Sequence, residues 1–302
     1  MKMNARGLMI GICLACMGLV SACNDGPDVP NELEIWLQEI EEIDAALAAS
    51  GTSAIKDPSG IRMVISTLGT GLPAQRNNGV DVTYVGRRFS DKVIFDQGNT
   101  RNNLTQFIDG WEIALSLLPV GSEATIYIPS VLGYGPGGQG ASIPPNTILE
   151  FDIVFNEVVL STAEIEQIKE DTTAIDQYLL NKGIAAVEDP SGIRYVITTP
   201  AAGPTATWYD RLELKYAIKL LTNDAVTVVT LERSPNDQFY SRPVDYIHGM
   251  KSGLQKMSEG SKATFFIPST YAFGTAGGSD GSGVTIPGDA NLIIEAELIN
   301  IQ

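Results

Sequence analysis

A six-residue string that occurs twice constrains the fold of this chain more than any other feature. Asp-Pro-Ser-Gly-Ile-Arg begins at Asp57 and again at Asp189, an offset of 132 residues. Each copy follows a stretch with helical periodicity and precedes an apolar run typical of a β-strand. With two copies and so long a period, the repeat predicts tandem domains rather than a solenoid, and 302 residues are enough for both.

Each repeat is predicted to open with an amphipathic helix, at about residues 31–50 and 162–182. The helices carry apolar residues at three- and four-residue spacing: Leu33, Trp36, Leu37, Ile40, Ile43 and Leu47 in the first, and Ile165, Ile168, Ile175, Tyr178 and Leu179 in the second. The first helix is predicted to begin after the N-cap Asn31 and to end at Gly51. The second is predicted to begin at a capping box of Ser161 and Glu164 and to end at Gly183. Each apolar stripe fits the core of its own domain, an interdomain contact or a dimer seam.

The inventory of reactive side chains excludes several kinds of site. All three cysteines (Cys13, Cys16 and Cys23) precede the predicted fold, so the folded part has no disulfide, thiolate nucleophile or cysteine-ligated metal. The only histidine is His248, which argues against a histidine-dependent triad or a multi-histidine metal site. A formal net charge of −16 argues against nucleic acid as a partner and against docking on anionic lipid, and it favours solubility.

The N-terminus has the features of a secretory signal. A basic start precedes an apolar run at residues 8–20 that is too short for a confident membrane span. The small residues before Cys23 resemble the lipobox of bacterial lipoproteins, which implies that Cys23 is lipidated. We therefore expect a leader at 1–22, a tether at 23–30, and attachment through Cys23 to a lipid bilayer of a bacterial cell envelope, on its periplasmic or outer face. An ordinary signal peptide with an incidental cysteine is the alternative.

The rest of the first repeat alternates short strands with one short helix. Strands are predicted near residues 61–68, 80–87, 124–129 and 148–158, with a short strand closing at Phe95-Asp96 and a polar loop at 97–103. The helix covers about residues 107–118 and is ended by Pro119 and Gly121. This pattern predicts an antiparallel sheet with one short helix laid on it, an α+β domain.

Six short blocks follow one another in this repeat. They are Val82-Thr83-Tyr84-Val85-Gly86, Phe95-Asp96, Phe107-Ile108-Asp109-Gly110-Trp111, Gly133-Tyr134-Gly135, Ile143-Pro144-Pro145 and Leu149-Glu150-Phe151-Asp152. In order and near-spacing they resemble the FKBP-type peptidyl-prolyl isomerases over about residues 80–159. The resemblance implies two tandem FKBP-like domains of α+β class. Each would be a curved antiparallel sheet wrapped around a short helix and preceded by an N-terminal helix.

The resemblance also implies a proline pocket between sheet and helix. The implied catalytic residues are Asp96, Tyr134, Trp111 and Phe95, and the implied substrate-binding residues are Tyr84, Leu104, Phe107, Ile108, Ile143 and Phe151. Trp111 is expected as the floor, Ile143 at the rim and Asp96 as a buried polar group. The Tyr134 hydroxyl and the Ile108 backbone N–H are expected to donate to substrate carbonyls. The family often has an aromatic residue where Leu104 stands, so that wall is expected to be thinner.

These residue types suit rotation about an X-Pro bond, which needs no nucleophile, metal or cofactor. The barrier is about 18–20 kcal/mol because of amide resonance, and a catalyst has only to bind the twisted amide better than the planar forms. An apolar box can remove water from the amide while donors hold the twist. Taken singly, the aromatic residues also fit an ordinary core, Tyr134 an exposed loop and Asp96 a turn. Their joint arrangement favours a pocket.

The second repeat keeps the scaffold but not the pocket residues. Met250 stands where the tryptophan floor is expected, and Phe273 where a hydroxyl donor is expected. Ile294 replaces the far aromatic wall, and the Phe-Asp pair is missing near residues 228–230. We expect little isomerase activity here; the domain could bind unfolded chains, bind another ligand or support the first domain. A solvated or structural role is expected for His248.

The leading hypothesis is a lipid-anchored extracytoplasmic peptidyl-prolyl cis-trans isomerase that assists the folding of exported proteins. Catalysis is expected in a domain at 31–160, followed by a second domain at 161–302. Its partners would be proline-containing polypeptides, and the intact pocket allows macrolide inhibitors. The alternative is a non-catalytic peptide-binding chaperone or a surface interaction protein that uses both domains as binding modules.

Overall fold

The computed structural model describes residues 31–221, 228–229, 246–279 and 285–302. The expected leader, tether and Cys23 lie outside the described residues, as does Thr230 in the region of the missing Phe-Asp pair. Two six-stranded antiparallel sheets follow one another along the chain, which confirms the predicted tandem α+β architecture. None of the helices in these ranges has the length and apolarity needed to cross a bilayer.

The first domain has two helices and one sheet. Its elements are α1 (Glu32–Ala49), β1 (Ile55–Lys56), β2 (Arg62–Thr67), β3 (Gly79–Arg88), β4 (Ile94–Asn103), α2 (Asp109–Leu117), β5 (Glu123–Ile128) and β6 (Leu149–Val159). The order of strands across the sheet is β1-β2-β5-β6-β3-β4. Strand β3 therefore lies between β6 and β4, which brings residues distant in sequence to one end of the sheet.

The second domain repeats this arrangement. Its elements are α3 (Thr162–Lys182), β7 (Val187–Glu188), β8 (Arg194–Thr199), β9 (Leu212–Leu220), β10 (Val228–Val229), α4 (His248–Leu254), β11 (Lys262–Ile267), β12 (Gly278–Ser279), β13 (Thr285–Ile286) and β14 (Leu292–Ile301). The large sheet has the order β10-β9-β14-β11-β8-β7, and β12 pairs with β13 in a small hairpin.

Each large sheet lies between two helices. Ile126 of β5 belongs to the buried cluster that contains Trp111 of α2, whereas its neighbour Tyr127 packs on the cluster that contains Ile43 of α1. Successive strand residues point to opposite faces, so α2 covers one face and α1 the other. The short helix α2 thus lies in the main core, as the family resemblance predicts.

The apolar stripes of the N-terminal helices pack on their own domains. Ile43 and Leu47 of α1, and Ile175 and Leu179 of α3, are buried against the adjacent sheets. The start of each stripe is not covered by its own domain: Leu33 is 61%, Leu37 53% and Ile165 54% exposed. The adjacent sheets cover each helix only from further along, because the buried residues of α1 begin at Glu39 and those of α3 at Asp171. The expected caps are present: Asn31 with Glu34, Ser161 with Glu164, and left-handed Gly51 and Gly183.

A buried arginine ties each N-terminal helix to its sheet. Arg62 is 6% exposed, and its Nε and Nη2 donate to the two carboxylate oxygens of Asp44 at 2.8 and 3.1 Å. Arg194 makes the same two hydrogen bonds to Asp176 at 2.8 and 3.0 Å. The last residue of the repeated string therefore binds the preceding helix, which explains why string and helix recur together.

Strand β4 corrects one prediction. Residues 97–103, predicted as a polar loop, continue the strand and pair with β3 as far as Gly79↔Asn103. The segment shows no apolar alternation because β4 is the edge strand and its side chains are mostly exposed. Its place in the sheet comes from backbone pairing with β3, and polar side chains on an edge strand discourage pairing with other chains.

A single residue joins the two domains, and side-chain contacts hold them together. Leu160 alone separates β6 from the N-cap of α3. Gln75 Nε2 donates to the Thr270 carbonyl at 2.9 Å, and Asn78 Nδ2 donates to Glu164 Oε1 at 2.9 Å. With so short a connection and these contacts, the domains form a docked pair.

Candidate active site

The short helix α2 places an indole at the centre of the first domain. Its N-cap, Ile108, has extended backbone angles and makes no side-chain cap. No described residue accepts from the Ile108 N–H, so this donor is available at the helix start. Trp111, in the first turn, is 3% exposed, and its buried Nε1 has no hydrogen-bond partner among the described residues. An unpaired buried donor is unusual and is often found at a functional site.

Four aromatic rings lie around the Trp111 indole. Phe107 stacks on Trp111 with ring centroids 4.9 Å apart, while Tyr84 and Phe151 meet it edge-on at 5.1 and 5.3 Å. Phe95 in turn meets Phe151 edge-on at 5.6 Å. Residues from two strands, the β4 edge and the helix start thus form one aromatic box, which removes water from whatever group enters it.

Gly86 on β3 makes room for two of these rings. It lies opposite Phe151 of β6 and opposite Asp96 of β4. A Cβ at this position would lie 2.7 Å from Phe151 Cε1 and 2.8 Å from Phe95 Cζ. The residue was not predicted as part of the site. Its signal is an isolated glycine within a strand pattern, which often marks close approach of other atoms to the backbone.

Three polar side chains line one edge of the box. The Tyr84 hydroxyl donates to Asp96 Oδ2 at 2.8 Å. Burial, and then the hydrogen bond to Asp96, raise the pKa of Tyr84 to about 12. Burial and the charge of Asp96 also raise the pKa of Tyr134. Both phenols therefore stay protonated at neutral pH, and the Tyr134 hydroxyl makes no hydrogen bond to a described residue, so it is free to donate.

The expectation that Asp96 is buried is wrong. Its side chain is exposed at the edge strand and accepts from the Tyr84 hydroxyl and from the Gln97 backbone N–H. Because β4 is the last strand of the sheet, nothing beyond it covers the carboxylate. The charge therefore lies at the mouth of the box, where it acts on the two phenols.

Glycines shape the loop that carries Tyr134. Gly135 and Gly138 have positive φ values of 54° and 63°. A Cβ at Gly138 would lie 2.4 Å from the Ile143 carbonyl oxygen. The loop closes through the Gln139 N–H, which donates to that same carbonyl at 2.7 Å. These contacts fold the Gly-Tyr-Gly segment back towards the box.

The remaining predicted residues, Leu104 and Ile143, lie deeper than expected. Leu104 is fully buried and Ile143 is 3% exposed, and both belong to the same buried cluster as Trp111. Ile143 was expected at the rim, but the loop closure around Gly138 draws it into the core. The structure therefore brings all ten predicted residues to one end of the first domain, with Asp96 as the exposed member.

The second domain keeps the backbone of this site and changes its surface. Phe273 has backbone angles of −108° and 2°, against −106° and 1° for Tyr134, so the two positions differ by the hydroxyl. Met250 is 1% exposed where the first domain has its indole. Ile218 and Ile294 pair across the sheet where Gly86 and its opposite aromatic ring stand. Aliphatic side chains thus occupy space that the first domain leaves to aromatic walls.

His248 is placed between the domains rather than in solvent. Its Nε2 is buried and has no hydrogen-bond partner among the described residues. Burial, and then the nearby Lys251 ammonium, lower the pKa of His248 to about 3, although the Ala74 and Pro73 carbonyls of the first domain partly oppose that shift. His248 is therefore neutral at physiological pH and has a structural place in the domain contact.

Comparison with known proteins points to one family. The family model described as FKBP-type peptidyl-prolyl cis-trans isomerase matches residues 71–156 and 203–299, one segment in each domain. The chain is 33% identical over 129 residues to an FKBP-type 22 kDa peptidyl-prolyl cis-trans isomerase of Escherichia coli K12, covering 38% of this chain and 62% of that protein. It is 36% identical over 101 residues to the outer membrane protein MIP of Legionella longbeachae, covering 32% and 43%.

Among solved structures, a peptidyl-prolyl cis-trans isomerase from Pseudomonas syringae pv. tomato is 35% identical, with a TM-score of 0.39. It covers 45% of this chain and 100% of its own chain. The matches to curated relatives span only part of those proteins, for example 37% of FkpA from Aeromonas hydrophila and 65% of FK506-binding protein 2 from Candida glabrata.

Proposed function

The chain belongs to the FKBP-type peptidyl-prolyl cis-trans isomerase family, and on that premise we propose that its first domain catalyses rotation about X-Pro bonds in polypeptides. The observation that carries the proposal is the aromatic box around Trp111, with the Tyr84–Asp96 pair and the Tyr134 hydroxyl at its mouth. The site joins an apolar enclosure to free hydrogen-bond donors, which is what this reaction requires.

The reaction needs a shift in amide geometry and no covalent step. Water stabilises the planar, charge-separated amide, so an enclosure that removes water lowers the cost of twisting. The proline ring would stack on Trp111 between the aromatic walls. The Tyr134 hydroxyl and the Ile108 N–H would then hold carbonyl groups on either side of the twisted bond. Donors placed in advance stabilise the transition state more than the ground state.

We propose a role for each residue of the site. Trp111 is the floor, and the walls are Tyr84, Phe95, Phe107 and Phe151, with Leu104 and Ile143 supporting them from the core. Asp96 accepts a hydrogen bond from the Tyr84 hydroxyl, and its charge helps to keep the Tyr134 phenol protonated. The same box would accept a macrolide, a proposal supported by a similar protein of Candida glabrata that carries the name FK506-binding protein 2.

We assign the second domain, residues 161–302, an accessory role beside the catalytic domain at 31–160. Met250 and Phe273 replace the indole floor and the hydroxyl donor, and Ile218 places a side chain where Gly86 makes room for two aromatic rings. A second candidate function rests on this same observation: an apolar site that lacks the tyrosine hydroxyl could bind unfolded chains without turnover.

We also propose a place in the cell envelope. Residues 1–22 would act as a leader and 23–30 as a tether, with a lipid on Cys23 holding the protein to a bilayer. The similar protein of Legionella longbeachae is named an outer membrane protein. In that setting the substrates would be exported proteins with slow X-Pro bonds, whose uncatalysed exchange takes tens to hundreds of seconds.

The test is an isomerase assay on the full chain with X-Pro peptides. We expect Tyr134→Phe to lower kcat/KM about ten-fold, the value of one lost hydrogen bond at the reacting group. Trp111→Leu should lower it further. The matched controls in the second domain, Phe273→Leu and Met250→Leu, should keep parental activity. If the folded parent chain shows no activity on several peptides, the enzyme proposal is wrong. An assay for suppression of aggregation would then test the chaperone function.

A further inference from the structure

Two aromatic residues of the second domain pack into or against the core of the first. Trp208 is 4% exposed and belongs to the buried cluster that contains Trp111, and Tyr209 packs against that cluster. The Tyr209 hydroxyl donates to the Leu117 carbonyl oxygen at 3.1 Å. These residues precede β9, in the loop that leads into the sheet of the second domain.

The internal repeat supplies a reference for this loop. At the 132-residue offset of the repeated string, Trp208 and Tyr209 correspond to Arg76 and Asn77 of the first domain. Arg76 and Asn77 are exposed, and the Arg76 side chain keeps 75% of its accessible surface. The same place in the scaffold is therefore polar and solvated in one copy, and aromatic and docked in the other. Aromatic side chains contribute large apolar areas when buried, so this difference favours a fixed contact.

The contact reaches the C-terminal end of α2. The last four carbonyls of a helix lack partners within it, and Leu117 is the last residue of α2. The helix has nine residues, no basic side chain in its last turn and no glycine cap. So short a helix is marginal without tertiary support. The C-cap residue Leu118 donates its N–H to the Ala114 carbonyl, whereas the Tyr209 hydroxyl donates to the Leu117 carbonyl at the end of the helix.

We propose that Trp208 and Tyr209 are positioning residues for α2, the helix that carries Trp111, so that the second domain maintains the geometry of the cleft in the first. This inference rests on the proposed isomerase function for its kinetic consequence. It gives the accessory domain a definite task, since Trp111 lies six residues, less than two turns, before Leu117 in the same short helix. The contacts of Gln75 with Thr270 and of Asn78 with Glu164 keep the domains docked around this loop.

The test uses three variants of the full chain. Tyr209→Phe keeps the ring and removes the hydroxyl, and Trp208→Arg introduces the residue that the first domain carries at the equivalent position. Thr207→Ala, at the exposed neighbouring residue, is the matched control. For each, kcat and KM are measured separately by NMR exchange on an X-Pro peptide. Amide hydrogen exchange is followed in α2 and in the β3–β6 pair.

We expect Tyr209→Phe to lower kcat about five-fold with KM within two-fold, the effect of one lost hydrogen bond on the fit to the twisted amide. Trp208→Arg should lower kcat more. In both, amides of α2 should exchange faster while those of β3 and β6 keep their protection. Thr207→Ala should match the parent.

Other outcomes overturn the proposal. Unchanged kcat and unchanged exchange in both aromatic variants mean that the contact positions nothing. Activity that falls only in proportion to the unfolded fraction, with faster exchange throughout the first domain, means a purely structural role. If the parent chain is inactive but α2 alone loses protection in the variants, the positioning role stands and the isomerase function fails.

Discussion

Gly86 controls how closely two walls of the aromatic box approach the sheet. A methyl group there would lie 2.7 Å from Phe151 and 2.8 Å from Phe95, closer than real Cβ contacts allow. We expect Gly86→Ala to push both rings aside and lower kcat/KM about ten-fold or more, since small displacements at a reacting site are costly. Overpacking should cost about 1–3 kcal/mol of folding stability.

The measurement compares isomerase activity and denaturant midpoint for Gly86→Ala and for Gly137→Ala. Nothing lies within 4 Å of a Cβ built at Gly137, so this control should behave like the parent. Parental activity in Gly86→Ala would show that the rings adapt and that the glycine has no part in shaping the box.

His248 makes stability depend on pH. Its pKa in the folded chain is about 3, below the ordinary 6.5, so the unfolded chain binds the proton first as pH falls. The stabilising contribution is complete above pH 6.5 and is lost progressively towards pH 3. Between pH 7 and pH 4.5 we expect the free energy of unfolding to fall by about 2–3 kcal/mol from this group.

Denaturant unfolding of the parent and of His248→Gln at pH 7, 5.5 and 4.5 measures this contribution. The variant should show a flatter dependence, because glutamine takes up no proton in this range. Equal slopes for both proteins would mean that the histidine accepts a proton without leaving its place between the domains.

At the residue scale, the sequence predicts which residues form the site better than it predicts how buried each of them is. The blocks around Trp111 and Tyr134 carry their own motifs, so these residues were found and the structure brings them together. The exposure of Asp96 and the burial of Ile143 depend on which strand is last in the sheet and on how a glycine loop closes. Neither property can be predicted from the sequence around the residue.

At the scale of single elements, Arg62 and Arg194 differ in how much stability is lost when the aspartate that pairs with each is removed. Arg62 is buried and pairs with Asp44, whose pKa is lowered to about 2, first by that hydrogen bond. Arg194 pairs with Asp176 and also with Glu188 at 3.2 Å. We expect Asp44→Ala to destabilise its domain by about 2–3 kcal/mol, because it leaves a buried guanidinium without a carboxylate. Asp176→Ala should cost about 1 kcal/mol, because the second carboxylate remains.

Hydrogen exchange resolved over α1 and α3 would report the two domains separately in the full chain. Equal losses in both variants would contradict the distinction between a single and a double partner. The Asp44 contribution is present above about pH 4 and should disappear as pH falls towards 2, as the carboxylate takes up its proton.

Elements were predicted where periodicity or a cap marked them. The helices α1 and α3 have apolar stripes and capping residues, and their bounds were found within one or two residues. Strand β4 was missed over residues 97–103, because an exposed edge strand needs no apolar face and its pairing with β3 uses the backbone. The exposed start of α1 was missed for the converse reason: Leu33 and Leu37 continue the helical spacing beyond the point where the sheet can cover them.

At the scale of the whole molecule, we expect two similar domains and one working site. In a background inactivated by Tyr134→Phe and Trp111→Leu, the changes Met250→Trp and Phe273→Tyr should not create activity. The aliphatic pair Ile218 and Ile294 fills the place where the first domain has a glycine and a ring. The isomerase assay on this four-fold variant measures the outcome. Activity restored to a substantial part of the parental value would mean that the second scaffold is competent and lacks only two side chains.

The repeated string was enough to predict tandem domains, but it held no information on how they meet. The docking residues Trp208 and Tyr209 occupy a loop with no periodicity, and Leu117, which accepts from the Tyr209 hydroxyl, is 92 residues away in the sequence. Only the comparison of each copy with the other marks them as unusual. Contacts between domains are set by surface complementarity, which a linear pattern does not display.

The Tyr209 contact can form only after both α2 and residue 209 have been synthesised. A ribosome releases α2 before it reaches residue 209, and at about 5–20 residues per second the gap lasts on the order of 5 to 20 s. During that interval the helix that carries the cleft floor has no hydroxyl at its far end, and the surface later covered by Trp208 is open. If Trp208 and Tyr209 position α2 as proposed, we expect the first domain to reach its final geometry only after the second domain has been synthesised and has docked on it. We therefore expect a chain truncated before residue 208 to have less isomerase activity than the full chain.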